Sequence, residues 1–390
     1  MTTENYKAGD IDEIVWLRLN RLRSVKLCEK LIRAKLVKNP NAAITEELIK
    51  SKAIGLSSAI ESAIGYWQVR PQSVNAKVLS RYYFLLQMTI AEQVSSVKNT
   101  DDLKAVQRHT EYGHGLGTIS DHSKEFPFNY YTFAVRGGHF YSYTKSLGVN
   151  TKDYDFEKRP RKFSDITEID NAVSLIDLFR RIPELANVIE EYTDLPPLSF
   201  HVGHSEINMR NDLEAAKAHM AATGQFAMKA PEVHGEKTTY ISFYSESDKI
   251  TPEYLKSLNL GLTDFQVLDG TLPNEKFITG QLRHDSRTKW FDHLQTYRSS
   301  NAPTTIIAPL WGQISDNVVI NFTLLYTLSI IVRYLPDLWY RISSGDLDHI
   351  GSLIEYYVAI ADHTLPLQML ERITDAHISI QQPGSIFGSI

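Results

Sequence analysis

The chain has one cysteine, Cys28, in 390 residues. A single thiol excludes an internal disulfide framework and any zinc site that needs two thiolates. It fits a reducing compartment, so a cytoplasmic location is expected. Cys28 falls on an apolar helix face, which predicts a buried thiol rather than a reactive one. No apolar run reaches the roughly 20 residues that span a bilayer. The most apolar stretch, Val318 to Val332, is interrupted by Asn321, Thr323, Thr327 and Ser329 and ended by Arg333. It reads as a buried core helix. Met1 to Asp10 is polar and lacks the apolar centre of a secretory signal, so no signal peptide is expected; no membrane partner is expected either. The net charge of -5 gives no surface-wide positive field for coating nucleic acid or anionic lipid, although a local basic patch stays open.

Several catalytic signatures are also missing. There is no G-x-x-x-x-G-K-[ST] loop, and Gly113-x-Gly115-x-Gly117 is not G-x-G-x-x-G and follows no clear strand, so no nucleotide cofactor is expected. H-E-x-x-H and G-x-S-x-G are absent. His201 and His204 sit in a β-rich run, where they would point to opposite faces. They read as surface histidines, and no metal or other cofactor is expected.

What is present is ordinary globular composition, 43% hydrophobic and 22% charged, which argues against extended disorder. Residues 11 to 37 carry a helical stripe through Ile14, Leu17, Leu22, Val25, Leu27 and Leu31, with Asp10 as N-cap and a basic outer face. Two further helices are predicted, Thr45 to Tyr66 and Ser73 to Ser96, separated by Pro71. From His109 to Asp155 glycines crowd among aromatics and histidines. There Tyr131, Phe133 and Val135 alternate, and Arg136-Gly137-Gly138-His139 is read as a hairpin turn. Residues 165 to 192 return to helix, broken at Pro183. Strands are expected at Leu198 to Val202, Thr238 to Phe243, Phe265 to Leu268, Lys276 to Leu282 and Thr304 to Ile307. Helices at Asn211 to Ala222 and Pro252 to Leu258 are interspersed. The C-terminal part is read as three helices, Val318 to Tyr334, Leu347 to His363 capped by Ser344, and Pro366 to Ile373.

The fold class is therefore mainly α with an α+β middle region and a helical bundle at the N- and C-terminal parts. The expected divisions are 1–110 (helical), 111–164 (glycine- and aromatic-rich, connecting), 165–310 (α+β), 311–380 (helical) and 381–390 (a flexible tail).

Four blocks in order carry a family resemblance. They are AIGYWQ followed by SRYYFLLQMTIAEQV (residues 80–94), then His114-Gly115, then LFRRIPEL (178–185), then LLYTLSIIVRYLPDLWYRIS (324–343). Together they span most of the chain and resemble the YaaC-like family of bacterial proteins. The chain departs from that pattern at Leu79-Ser80-Arg81, where the family shows a proline and leucines before the paired tyrosines. This resemblance brings no catalytic residues with it. The segment SRYYFLLQMTIAEQV also resembles a helix of HEPN domains, small helical bundles found in toxin–antitoxin and phage-defence systems. Some HEPN domains are metal-independent ribonucleases marked by an Arg, four to six residues, then His.

Three stretches have that spacing, Arg108 to His114, Arg287 to His293 and Arg372 to His377. With 13 histidines, and arginine at its frequency here, chance alone supplies roughly two. Only Arg108 to His114 follows the HEPN-like helix. In that reading His114 takes a proton from a ribose 2′-hydroxyl, Arg108 stabilises charge on the phosphate, and Arg81 contacts the phosphate. The plain alternative is a glycine-rich turn with His114 hydrogen-bonded to backbone. Two functions follow. One is an intracellular binding or accessory subunit with a protein partner or self-association, in a nucleic-acid or phage-defence pathway. The other is a HEPN-type ribonuclease acting on RNA.

Overall fold

The structure is a computed structural model that describes residues 2–7, 10–68, 73–206, 217–224, 236–244, 247–269 and 276–381. It is mainly helical with small sheets. The chain forms two compact units. Met1–Leu178 with Asn321–Ile390 make the first, and Phe179–Ile320 the second.

In the first unit the leading helical stripe forms two helices, α1 (Ile11–Arg21) and α2 (Val25–Lys38), where one was expected. A turn through Leu22–Ser24 separates them. The Cys28 thiol donates to the Leu22 carbonyl at 2.9 Å inside the core, which ties the turn to α2. A straight helix would have buried Leu17 and Val25; here both are exposed, while Leu22 and Cys28 are buried as expected and Leu19 is buried in addition. The pair α3 (Glu46–Gln68) and α4 (Val74–Ser95) follows as expected. Gly55 permits close approach of α3 to α5 (Leu103–Thr110), since a Cβ there would lie 2.8 Å from Leu103 Cβ.

The hairpin lies earlier than the alternation implied. Strand β2 (Leu116–Ser120) pairs antiparallel with β3 (Tyr130–Ala134), and β3 pairs with β4 (Ala172–Ser174). The supposed second arm is helix α6 (Gly138–Ser146). Gly137 and Gly138 have φ of 91° and 81°, and these left-handed residues end the strand and start the helix rather than turning it back. Strand β1 (Thr2–Lys7), unanticipated, pairs in parallel with the last strand, β11 (Ala376–Gln381).

The C-terminal segment also differs. α11 (Asn317–Tyr334) is followed by α12 (Pro336–Ser344), which the periodicity missed, so Ser344 ends a helix instead of capping the next. α13 (Asp348–Thr374) runs unbroken through Pro366. Leu365, Pro366, Met369 and Leu370 are all buried, and packing against α4 holds the helix straight past the lost backbone donor. Among the described residues α11 is the one helix long and apolar enough to cross a membrane, and 78% of it is buried inside the protein, as in a core helix.

The second unit begins inside α7 (Leu175–Phe179), continues through α8 (Ile189–Thr193) and is built on an antiparallel six-stranded sheet in the order β7-β8-β6-β5-β10-β9. β5 (Ser199–Ser205), β6 (Glu236–Tyr244), β7 (Thr263–Asp269), β8 (Lys276–Asp285) and β10 (Thr305–Ile307) cover the five expected strands; β9 (Thr296–Tyr297) is an addition. Phe200, Val202, Ile241, Phe243 and Ile306 line one face and pack on Leu255 of α10 (Pro252–Ser257). Residues 217–223 form α9, which overlaps the expected helix and runs one residue past its end at Ala222; 211–216 of that reading, and 382–390 of the expected tail, lie outside the described residues.

Candidate functional site

α4 carries Tyr82, Thr89 and Gln93 at spacings of seven and four, which places them on one stripe of the helix. Each bonds to the glycine- and aromatic-rich segment. The Tyr82 hydroxyl lies 2.8 Å from His114 Nδ1. Thr89 Oγ1 lies 2.9 Å from His139 Nε2. Gln93 Nε2 donates to Ser142 Oγ at 2.9 Å. One turn aside, Glu92 accepts from Tyr143 at 2.6 Å and from Arg372 Nε at 2.9 Å.

The glycines fix this docking. The first N–H groups of α6 need acceptors. His139 N donates to the Gly113 carbonyl at 3.0 Å and Phe140 N to the His114 carbonyl at 2.9 Å. For those bonds to form, two backbones must touch. A Cβ on Gly138 would lie 2.5 Å from Gly115 N, and one on Gly115 would lie 2.7 Å from the Gly137 carbonyl.

His114 is half-buried, and burial, with a smaller contribution from the charge of Arg333, lowers its pKa. Tyr82 is fully buried, which pushes its phenol far up and keeps it protonated. With the phenol as donor, Nδ1 accepts and the imidazole proton sits on Nε2. The Tyr326 ring packs 5.9 Å from His114, and its hydroxyl donates to the Leu116 carbonyl at 2.8 Å.

The other two chosen residues are elsewhere. Arg81 is 6% exposed. Its Nε donates to Asp362 Oδ1 at 2.5 Å, Nη2 to Oδ2 at 3.3 Å, and its guanidinium lies 3.9 Å from the centre of the Trp67 ring. Adjacent helical residues diverge by about 100°, so Arg81 points to α13 while Tyr82 points to His114. Arg108 is exposed on α5. Among the described residues no hydrogen bond joins His114 to Arg81 or Arg108. The residues the spacing did not identify are Arg333 and Arg159, whose charges both act on Tyr326. Arg333 is held by the Ser329 carbonyl and hydroxyl at 3.0 and 3.1 Å. No spacing rule links residue 114 with 333; only the fold brings them close.

His139 is wholly enclosed, and desolvation lowers its pKa to about 3, so it is neutral. His201 and His204 lie on β5; His201 Nδ1 is 3.2 Å from Thr305 Oγ1, and His204 packs 5.0 Å from the Trp290 ring. Among the described residues no group of three or more His, Cys, Asp or Glu side chains is arranged to hold a metal ion. The Cys28 thiol is buried, and desolvation pushes its pKa up to about 12.

These features define a mainly helical protein whose histidines knit a glycine-rich segment to a central helix. The model of the YaaC-like Protein family matches residues 22–373, and the chain belongs to that family. No curated protein and no solved structure matches the chain.

Proposed function

We propose that this YaaC-like protein is a cytoplasmic binding or accessory subunit. Its N- and C-terminal helices act as one helical bundle, a scaffold that joins a protein partner or a second copy of the chain, in a nucleic-acid or phage-defence pathway. One observation carries the reading. The side chains with the best claim to chemistry hold the fold, Arg81 through Asp362 and Trp67, and His114 through Tyr82. The test is incubation of the purified chain with RNA, alongside light scattering over a range of concentrations. The expected results are intact RNA and a mass that rises with concentration when no partner is supplied. RNA turnover lost on a single substitution would remove the reading.

A metal-independent ribonuclease of the HEPN type is the second reading. It is favoured by the half-exposed imidazole of His114 lying within reach of the charge of Arg333. His114 and Arg108 would then work with Arg333, since Arg81 is engaged. Purified protein would cut RNA in EDTA, and His114→Ala would stop the cutting without unfolding the chain.

A further inference from the structure

The run Lys158-Arg159-Pro160-Arg161-Lys162 carries four cations, all exposed on the first unit. Among the described residues none of the four forms an ion pair. The carboxylates nearest along the chain are already engaged. Asp155 and Glu157 pair with Arg136, and Asp165 accepts from the backbone N–H groups of Arg161 and Lys162. A run of exposed lysine and arginine is usually a solvated surface. Two placements set this one apart.

First, Arg159 lies against β2, where a Cβ on Gly117 would sit 3.4 Å from its Nε. From there its charge reaches the Tyr326 hydroxyl, as does that of Arg333, so the two arginines face one place. No carboxylate is among the charges that act on Tyr326 or on His114.

Second, the basic strip ends in stacked aromatics. Arg333 Nη1 lies 3.5 Å from the Tyr83 hydroxyl, and the Tyr83 ring stacks on Tyr66 with centres 5.2 Å apart and planes 21° from parallel. Tyr66 is 39% exposed. Arg333 spends Nε and one N–H of Nη2 on Ser329 and has no carboxylate partner among the described residues. A guanidinium has five donors, so both of its terminal nitrogens keep an N–H to offer.

Arg333 stands in the last turn of α11, where the helix dipole favours a cation. That accounts for Arg333 alone, not for the basic run or the tyrosine stack. α12 begins two residues after α11 ends, so the positive end of one helix offsets the negative end of the other. Cations without counter-charges suit a polyanion, and an exposed tyrosine offers its face to a base. A duplex keeps its bases stacked inside, and an acidic peptide brings none.

We propose that this strip binds single-stranded nucleic acid, with phosphates along Arg159, Arg161 and Arg333 and a base stacked on Tyr66. The site rests on the nucleic-acid part of the proposed function and requires no cutting.

The test is fluorescence anisotropy of a labelled oligothymidylate titrated with the full chain over a series of salt concentrations. Saturable binding is expected. Arg159→Glu should weaken it at least about tenfold, which is about 1.4 kcal/mol, and flatten its salt dependence. Tyr66→Ala should weaken it at least about fivefold with the salt slope unchanged, because stacking releases no counterions. Both positions are exposed, so neither substitution opens the core. Lys50→Glu, near the other end of α3, should change neither quantity. No saturable binding, or equal affinity in Arg159→Glu, would overturn the proposal. So would equal competition by polyglutamate, anionic vesicles or a DNA duplex, which would show attraction to charge alone. A DNA strand lacks the 2′-hydroxyl that the ribonuclease reading attacks, and light scattering reads self-association without nucleic acid. Failure of this site is therefore distinct from failure of either reading.

Discussion

Thr89 Oγ1 accepts a hydrogen bond from His139 Nε2 at 2.9 Å inside the core, because the threonine's own proton is given to the Leu86 carbonyl at 2.8 Å. The bond fixes the histidine proton on Nε2 and leaves Nδ1 without a partner. A second proton would have to enter a fully enclosed site.

That sets a pH dependence. The folded pKa of about 3 lies below the ordinary value of 6.5, so between these limits the unfolded chain binds more protons. The stabilisation is complete above pH 6.5 and is lost progressively as pH falls toward 3. His114 and His201, also lowered by burial, act in the same direction. At pH 5 the His139 contribution to the loss is expected to be about 2 kcal/mol. Urea unfolding at pH 7 and pH 5 measures it, and His139→Gln should show a visibly smaller drop. An unchanged slope in that variant contradicts the assignment.

Lys52 supplies a second prediction. Its ammonium is fully buried and donates to the carbonyls of Val94, Ser96 and Asp101 and to Asn99 Oδ1, at 2.6 to 3.2 Å. These bonds tie α3 to the end of α4 and the loop leading to α5. Lys52→Met removes the donor and strands several buried carbonyls, so a loss of about 3 kcal/mol is expected. Lys50→Met, two residues away and exposed, should stay within about 0.5 kcal/mol. Equal thermal and urea stability of the two variants would show that the bonds carry no weight.

The glycine crossing supplies a third. At Gly138 a side chain meets both a left-handed φ and a backbone nitrogen 2.5 Å away. Gly138→Ala is expected to cost more than about 1–3 kcal/mol, the usual range for overpacking, since backbone cannot yield as a side chain does. Gly137→Ala shares the φ but meets no atom within 4 Å, and should cost clearly less. Circular-dichroism melts of the two variants separate space from conformation.

Much of this architecture was legible beforehand. Residues such as Val78, Tyr82 and Leu85 on α4, and the alternation of Phe200 and Val202 or Ile241 and Phe243 in the sheet, announce their elements through local spacing. What failed was decided at long range. Pro366 reads as a break because nothing local shows the packing that carries α13 through it. Gly137 and Gly138 read as a hairpin turn because the acceptors for α6 come from Gly113 and His114, more than 20 residues back. The pairing of β1 with β11 joins the two ends of the chain. At the candidate site, the bond between Tyr82 and His114 joins positions 32 residues apart and the charge of Arg333 acts on His114 from much farther along the chain, relations that leave no local signal.

The role of His114 is tested most directly by equilibrium urea unfolding of His114→Ala at pH 7. If the imidazole serves to dock the glycine-rich segment on α4, its loss leaves the buried Tyr82 hydroxyl without a partner and lowers stability by about 1–3 kcal/mol. Unchanged or increased stability, the usual outcome when a strained catalytic side chain is removed, would contradict the account and return His114 to the list of reactive groups.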